Sequence, residues 1–226
     1  MFGTSALGNL YAARPDGVKL AVLREMFRDA EGPVLLDSAG KYGAGLALET
    51  IGRGLRALGV PPERVLLSNK LGWLRAPLRG REPTFEPGVW FGLEHDAEQA
   101  IGYEGILRCW EEGCALLGPP YRPTLVSVHD PDELLARATT PGERQRAWRE
   151  LLEAYRALDE LKRRGEVSLV GAGAKDWTVL RSLADAVPLD WVMLACSYTV
   201  LRHPPEVVRF VDRLGEAGVG VVNSAV

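Results

Sequence analysis

Short apolar runs alternate along the chain with longer stretches in which apolar residues return every three or four positions. Val34-Leu35-Leu36 runs into Asp37, Val65-Leu66-Leu67-Ser68-Asn69 into Lys70, and Thr124-Leu125-Val126-Ser127-Val128 into His129. Val167-Ser168-Leu169-Val170 leads to Gly171-Ala172-Gly173, Trp191-Val192-Met193-Leu194-Ala195 to Cys196-Ser197-Tyr198, and Val219-Gly220-Val221-Val222 to Asn223-Ser224. A weaker run through Phe2-Gly3-Thr4-Ser5 precedes them all. Continuous apolar runs of this length, ended by polar residues or glycine, predict seven buried strands.

The intervening stretches have helical spacing. Val18, Ala21, Val22 and Met26 share one face, with Asp16 in the expected capping position. Leu48, Ile51, Leu55 and Leu58 share another, and Gly59 with Pro61 beyond it marks a helix stop. Trp148, Leu151, Leu152, Tyr155 and Leu158 form a third stripe on a helix ending at Lys162-Arg163-Arg164-Gly165, where the cations complement the helix dipole. Further helices are expected over 95–117, 176–186 and 204–217. Leu71 through Gly92 carries Trp73, Arg75, Arg79, Arg81 and Trp90 without a helical period and reads as a long loop. It suits a sugar-binding pocket, or else a surface excursion whose tryptophans cover the site.

Strands alternating with helices predict a parallel sheet with crossover helices, either a doubly wound sheet or a (β/α)8 barrel. Polar or ionisable residues end several successive strands, which is where barrel active sites are built. The glycine fingerprint of a dinucleotide-binding sheet is missing after the first strand, and Gly171-Ala172-Gly173 lacks its third glycine. The expected fold is therefore a single (β/α)8 TIM-barrel domain over residues 1–226, holding about seven of its eight strands. Open edges on both outer strands would be a liability, so the expectation is a chain truncated at its C-terminal end.

Composition narrows the class of partner. A formal net charge of -3 and a pI near 5.7 give no electrostatic cause to expect nucleic acid or an anionic membrane surface. No apolar run approaches the roughly 20 residues of a membrane-spanning helix. Cys109, Cys114 and Cys196 have no metal-ligand spacing and leave one thiol over, as expected of a cytoplasmic protein in a reducing compartment. The N-terminal Met1-Phe2-Gly3-Thr4 lacks the pattern of a secretory signal.

Four residues are expected at the mouth of the barrel: Asp37, Lys70 and His129 at strand ends, and Tyr42 in the glycine-rich loop Ser38–Gly45. A phenol ionises near ~10, too high for ready proton exchange at neutral pH. A lysine ammonium beside its oxygen favours the phenolate, and an aspartate holds that lysine charged and in place. A histidine hydrogen-bonded to the same substrate oxygen fixes its position. Such a set exchanges a proton with a carbonyl/alcohol pair without a metal. The accompanying hydride has to come from a nicotinamide cofactor, because no side chain supplies one.

Leu36-Asp37-Ser38-Ala39-Gly40-Lys41-Tyr42-Gly43 resembles the Asp-x-Ala-x-x-Tyr-Gly signature of the aldo-keto reductases. Leu67-Ser68-Asn69-Lys70-Leu71-Gly72 resembles their catalytic-lysine strand, and Val126-Ser127-Val128-His129 their catalytic-histidine strand. The resemblance implies Tyr42 as general acid/base, Lys70 and Asp37 as the groups that tune it, and His129 as the residue that orients substrate. It also implies NAD or NADP as cofactor, with Gly3, Thr4, Asp37 and Ser224 among its contacts, and no metal. Asn69-Lys70-Leu71-Gly72-Trp73, His129-Asp130-Pro131-Asp132 and Val170–Lys175 are similar to the branch of sugar 1-dehydrogenases that contains L-fucose, D-threo-aldose and L-galactose dehydrogenases and pyridoxal 4-dehydrogenase. Its members oxidise a cyclic hemiacetal to a lactone, so the implied partner is a small sugar or aldehyde. The chain departs from many family members at Gly173-Ala174-Lys175, where they carry Ser-Asn, and at Asn223-Ser224, where they carry an aromatic residue. Two other readings remain: a lyase forming a Schiff base on Lys70, and a truncated barrel with no catalytic activity.

Overall fold

The computed structural model describes residues 1–225, which fall into two compact units. The first comprises Met1–Ile101 with Gly105–Leu125, and the second Gly102–Glu104 with the chain from Val126 onward.

In the first unit, β1 (Phe2–Gly3) is followed by a short 3-10 turn, α1 (Asp16–Arg28), β2 (Val34–Ala39), α2 (Leu46–Ala57) and β3 (Val65–Leu71). The three strands are parallel in the order β1-β2-β3, with Gly3 opposite Asp37, Asp37 opposite Ser68 and Ala39 opposite Lys70. Side chains alternate between faces of a strand. One face of β2 and β3 therefore sends Leu36 and Leu67 into a core with Leu23, Leu48, Ile51, Leu55 and Leu117. Each such side chain is worth about 1.5–3 kcal/mol when fully buried. The predicted stripe on α2 is the one that packs, and the helix ends at a left-handed Gly59.

Three expectations need correction here. Asp16 does not cap α1: it is the first helical residue, Pro15 occupies the capping position without a side-chain hydrogen bond, and the Asp16 carboxylate lies 3.5 Å from Arg53. The stretch from Leu71 to Gly92 is not all loop, and the stretch from 95 is not helix. Trp73–Pro77 (β4) pairs antiparallel with His95–Gln99 (β5), and helix α3 begins only at Tyr103 and runs to Leu117. Neither segment has an apolar alternation strong enough to announce a strand. Pairing between segments some twenty residues apart decides their conformation.

The second unit contains β6 (Leu125–Val128), α4 (Pro131–Ala136), α5 (Pro141–Arg163), β7 (Leu169–Ala174), α6 (Trp177–Ala186), β8 (Trp191–Ala195), α7 (Pro205–Glu216) and β9 (Gly220–Ser224). Its strand order is β6-β7-β8-β9, and β7–β8 and β8–β9 are parallel pairs. The short helix α4 was not legible from apolar spacing. Helix α5 starts well ahead of the Trp148 stripe, because Thr140 and Glu143 cap each other's backbone amides in a capping box with Pro141 in the first turn. Strand β7 lies two residues later than its apolar run and takes in Gly171-Ala172-Gly173. The reason is spatial: the Trp191 indole packs where a side chain at 171 would stand, so only glycine fits there.

Candidate active site

The C-terminal ends of β2 and β3 assemble a charged cluster. Asp37 and Lys70 are both 6% exposed, and the Lys70 ammonium donates a hydrogen bond to Asp37 Oδ2 in a buried ion pair. A second hydrogen bond runs from Lys70 Nζ to Tyr42 Oη at 3.0 Å, with the ammonium 4.9 Å from the centre of the phenol ring. Ser68 Oγ donates to the other carboxylate oxygen, Asp37 Oδ1, at 3.0 Å. Ser68 lies two residues before Lys70 on β3 and so projects from the same face. Sequence reading overlooked it, although that spacing was the available signal.

The backbone beside this cluster is fixed as firmly. Thr4 has no exposed surface, and its amide and hydroxyl both donate to the Asp37 carbonyl, at 3.1 and 2.8 Å. Its hydroxyl proton is thus committed to bracing β2. The loop carrying Tyr42 crosses the turn after β1 at very close range. A side chain on Gly43 would stand 2.2 Å from the Gly8 carbonyl oxygen, and one on Gly8 would stand 2.6 Å from that of Tyr42. Gly43 is also left-handed, with φ +63. Two glycines are what allow these backbones to touch.

Burial and charge pull the Lys70 pKa in opposite directions. Desolvation favours the neutral amine and is the largest influence, but the Asp37 carboxylate and the Tyr42 oxygen together outweigh it. The net shift is upward, so Lys70 is an ammonium throughout the neutral range.

The β4–β5 hairpin supplies a wall next to Tyr42. Trp90 lies 6.0 Å from the Tyr42 ring and stacks with Phe85 at 6.1 Å, and Phe85 contacts Trp73 at 5.9 Å. Glu86 ties this wall to the Tyr42 loop, accepting from Trp90 Nε1 at 2.6 Å and pairing with the buried Lys41 ammonium at 2.8 Å. Trp73 and Trp90 are thus largely buried covering groups, while Arg79 and Arg81 are exposed. Arg75 grips Glu49 and the Ala44 carbonyl at 2.7 Å each.

Of the residues singled out from sequence, the structure brings Asp37, Tyr42 and Lys70 into direct contact, with Gly3 and Thr4 on the neighbouring strand position. Asp37 and Lys70 do not end their strands, since β2 runs on to Ala39 and β3 to Leu71. Gly3 is exposed, with open space where a side chain would stand. His129 and Ser224 belong to the second unit. His129 follows β6 directly, is 4% exposed and has Nε2 3.4 Å from Asp130. Ser224 ends β9, with its hydroxyl 3.4 Å from the Leu194 carbonyl and its own carbonyl accepting from the Cys196 amide.

Comparison with known proteins adds the following. The chain is 30% identical to pyridoxal 4-dehydrogenase of Microbacterium luteolum, across 99% of its own length and 67% of that protein. It is 28% identical to D-threo-aldose 1-dehydrogenase of a Pseudomonas species, across 100% of its length and 64% of the relative. It therefore spans about two thirds of the curated relatives it matches. Among solved structures, an aldo-keto reductase from Bacillus halodurans in its holo form superposes with a TM-score of 0.65 at 19% identity, covering 98% of this chain and 60% of the other. One from Klebsiella pneumoniae in complex with NADPH gives 0.62 at 17%, covering 97% and 61%. The fold is accordingly the α/β barrel type of these proteins, and the described residues supply seven strands to its main sheet, of the eight that close such a barrel. The family description "Aldo/keto reductase family" matches residues 1–226, and the chain belongs to that family.

Proposed function

We propose that the protein is an NAD(P)-dependent oxidoreductase acting on the carbonyl/alcohol pair of a small sugar-like substrate, most specifically an aldose 1-dehydrogenase that yields a lactone. The observation that carries this reading is the Asp37–Lys70–Tyr42 chain of hydrogen bonds, with a buried ammonium 3.0 Å from a phenol oxygen. An ammonium at that distance stabilises negative charge on Tyr42 Oη, where a proton must be accepted from an anomeric hydroxyl or returned to a carbonyl. Asp37 keeps Lys70 charged and aimed. The hairpin wall of Trp90 and Phe85 restricts water beside the ring and so strengthens this electrostatic effect. The relatives' names support the substrate class, and the family resemblance gives His129 its role of orienting the substrate oxygen.

When bound, a nicotinamide would accept or supply the hydride at the substrate carbon. In the first unit the residue suited to hold it is an acceptor, the Asp37 carboxylate, which Thr4 braces from behind through the backbone. The resemblance adds Ser224 of the second unit, whose hydroxyl proton already points at a backbone carbonyl. A carboxamide NH2 is a donor, so the chemistry is complementary. Gly3 leaves open space nearby.

The charge on Lys70 weighs against a Schiff-base lyase, which needs that amine neutral to attack. Nicotinamide reduction is to be followed optically with a panel of aldoses and with both nucleotides. Tyr42→Phe is expected to reduce turnover by ~10²-fold or more while preserving the circular dichroism spectrum. Undiminished turnover in that variant refutes the assignment, as does a borohydride-trapped adduct on Lys70.

A further inference from the structure

Three lysines of the first unit are buried: Lys70 pairs with Asp37 and Lys41 with Glu86, whereas Lys19 has Asp16 only at longer range. Lys19, on the first turn of α1, is 3% exposed, and its Nζ meets no hydrogen-bond acceptor among the described residues. It borders an open pocket of about 480 Å³ lined by the turn after β1, the start of α1, the start of α2 and the far end of the β4–β5 hairpin. The volume is that of a site for a small molecule rather than for a single water.

The charges around this pocket are unequally satisfied. Arg75 is tied to Glu49, and Arg53 lies 3.5 Å from Asp16, so those pairs offer a ligand little net charge. Lys19 and Arg14 remain as cations without a carboxylate within ion-pair distance among the described residues, opposed by the exposed Glu94. Both bordering helices also present their N-terminal turns, through Asp16 and Lys19 of α1 and through Leu46 and Glu49 of α2. Helix N-termini carry the positive end of the dipole. Here the amides of Val18, Lys19, Leu46, Ala47 and Glu49 already donate to backbone carbonyls, so the dipoles and the two cationic side chains are what a ligand would meet. Desolvation lowers the Lys19 pKa, and the neighbouring Asp16 offsets this only in part, as expected of an ammonium that lacks a close counter-ion.

We propose that this pocket is a phosphate-binding site, in which Lys19 and Arg14 hold the phosphate group of a small ligand between the N-terminal turns of α1 and α2. The site depends on no part of the proposed redox chemistry. It does border the Tyr42 loop: Gly43 is one of its lining residues. A bound phosphate would therefore rest against the loop that presents the phenol.

The phosphate can be free inorganic phosphate or part of a sugar phosphate, and calorimetry with each, at ionic strength held constant with sodium chloride, separates the two sources. Saturable one-to-one binding of inorganic phosphate is expected. It should weaken about tenfold or more in Lys19→Met, the loss of one charge-assisted hydrogen bond, and weaken in Arg14→Ala. Binding should persist unchanged in Tyr42→Phe, so that failure of the redox reading and failure of this one are told apart. Tighter binding of glucose 6-phosphate than of inorganic phosphate supports the site and makes a sugar phosphate its ligand. No saturable binding of either, or equal binding in the wild type and in both Lys19→Met and Arg14→Ala, overturns the proposal. Should Lys19→Met fail to fold, the exposed Arg14→Ala carries the test alone.

Discussion

Lys70 and Lys19 are two ammonium groups in one unit, each on a residue less than a tenth exposed, with pKa values moved in opposite directions. Burial disfavours the charge in both. What differs is the company: a carboxylate, a phenol oxygen and a supporting Ser68 surround the first, whereas the second faces an open pocket with Asp16 at longer range. The lesson is that exposure alone does not identify a functional charge. A closed set of partners marks a group organised to act on something else, and an open set marks a group with capacity for a ligand.

The largest expected effect breaks the closed set. Lys70→Met leaves the Asp37 carboxylate buried with Ser68 alone, and should destabilise the fold by about 3–5 kcal/mol in urea denaturation besides removing turnover. A loss below ~1 kcal/mol would show that water reaches the pair and that Lys70 resembles Lys19 after all. Next in size is the coupling itself. Asp37→Asn combined with Lys70→Met should cost less than the two single changes added together, by roughly 0.5–3 kcal/mol, because neither charge is left stranded. Strict additivity would mean that the two residues stabilise the fold separately.

The smallest effect is the most discriminating, since it concerns sign. Between the lowered folded pKa of Lys19 and its unfolded value near ~10.4, the unfolded chain holds more protons, so Lys19 makes stability rise with pH. The raised pKa of Lys70 does the reverse: its stabilising contribution is complete below ~10.4 and is lost as pH climbs through the folded value. Lys19→Met should therefore change stability by no more than ~1 kcal/mol at neutral pH and flatten the alkaline rise. A Lys19→Met variant that keeps the full slope would assign the rise to another group.

Much of this contrast was legible in the chain, though unevenly. Polar residues closing apolar runs pointed to Asp37 and Lys70, and the glycine-rich segment pointed to Tyr42, because short-range patterns record which face a side chain takes. The alternation Ser68-Asn69-Lys70 also contained Ser68, had it been read for face as well as for terminus. The hairpin was not legible. Trp73–Pro77 and His95–Gln99 become strands through pairing with each other, and the link from Lys41 through Glu86 to Trp90 joins segments forty-five residues apart. Lys19 was invisible for a related reason. On a helical stripe of Val18, Ala21 and Val22 it reads as a solvated charge, yet Val18 and Val22 are exposed and Lys19 is covered. Which face of α1 is buried follows from the elements packed on it.

The meeting of Gly8 and Gly43 bears on how this protein could be diversified. Any library built to alter the proposed substrate of Tyr42 would naturally randomise the loop around it. Position 43 tolerates no side chain without moving the turn after β1, and position 8 tolerates none without moving the peptide of Tyr42 itself. Variation is therefore best directed to the hairpin tip, where Arg79 and Arg81 are exposed and can be exchanged without disturbing the Asp37–Lys70–Tyr42 contacts.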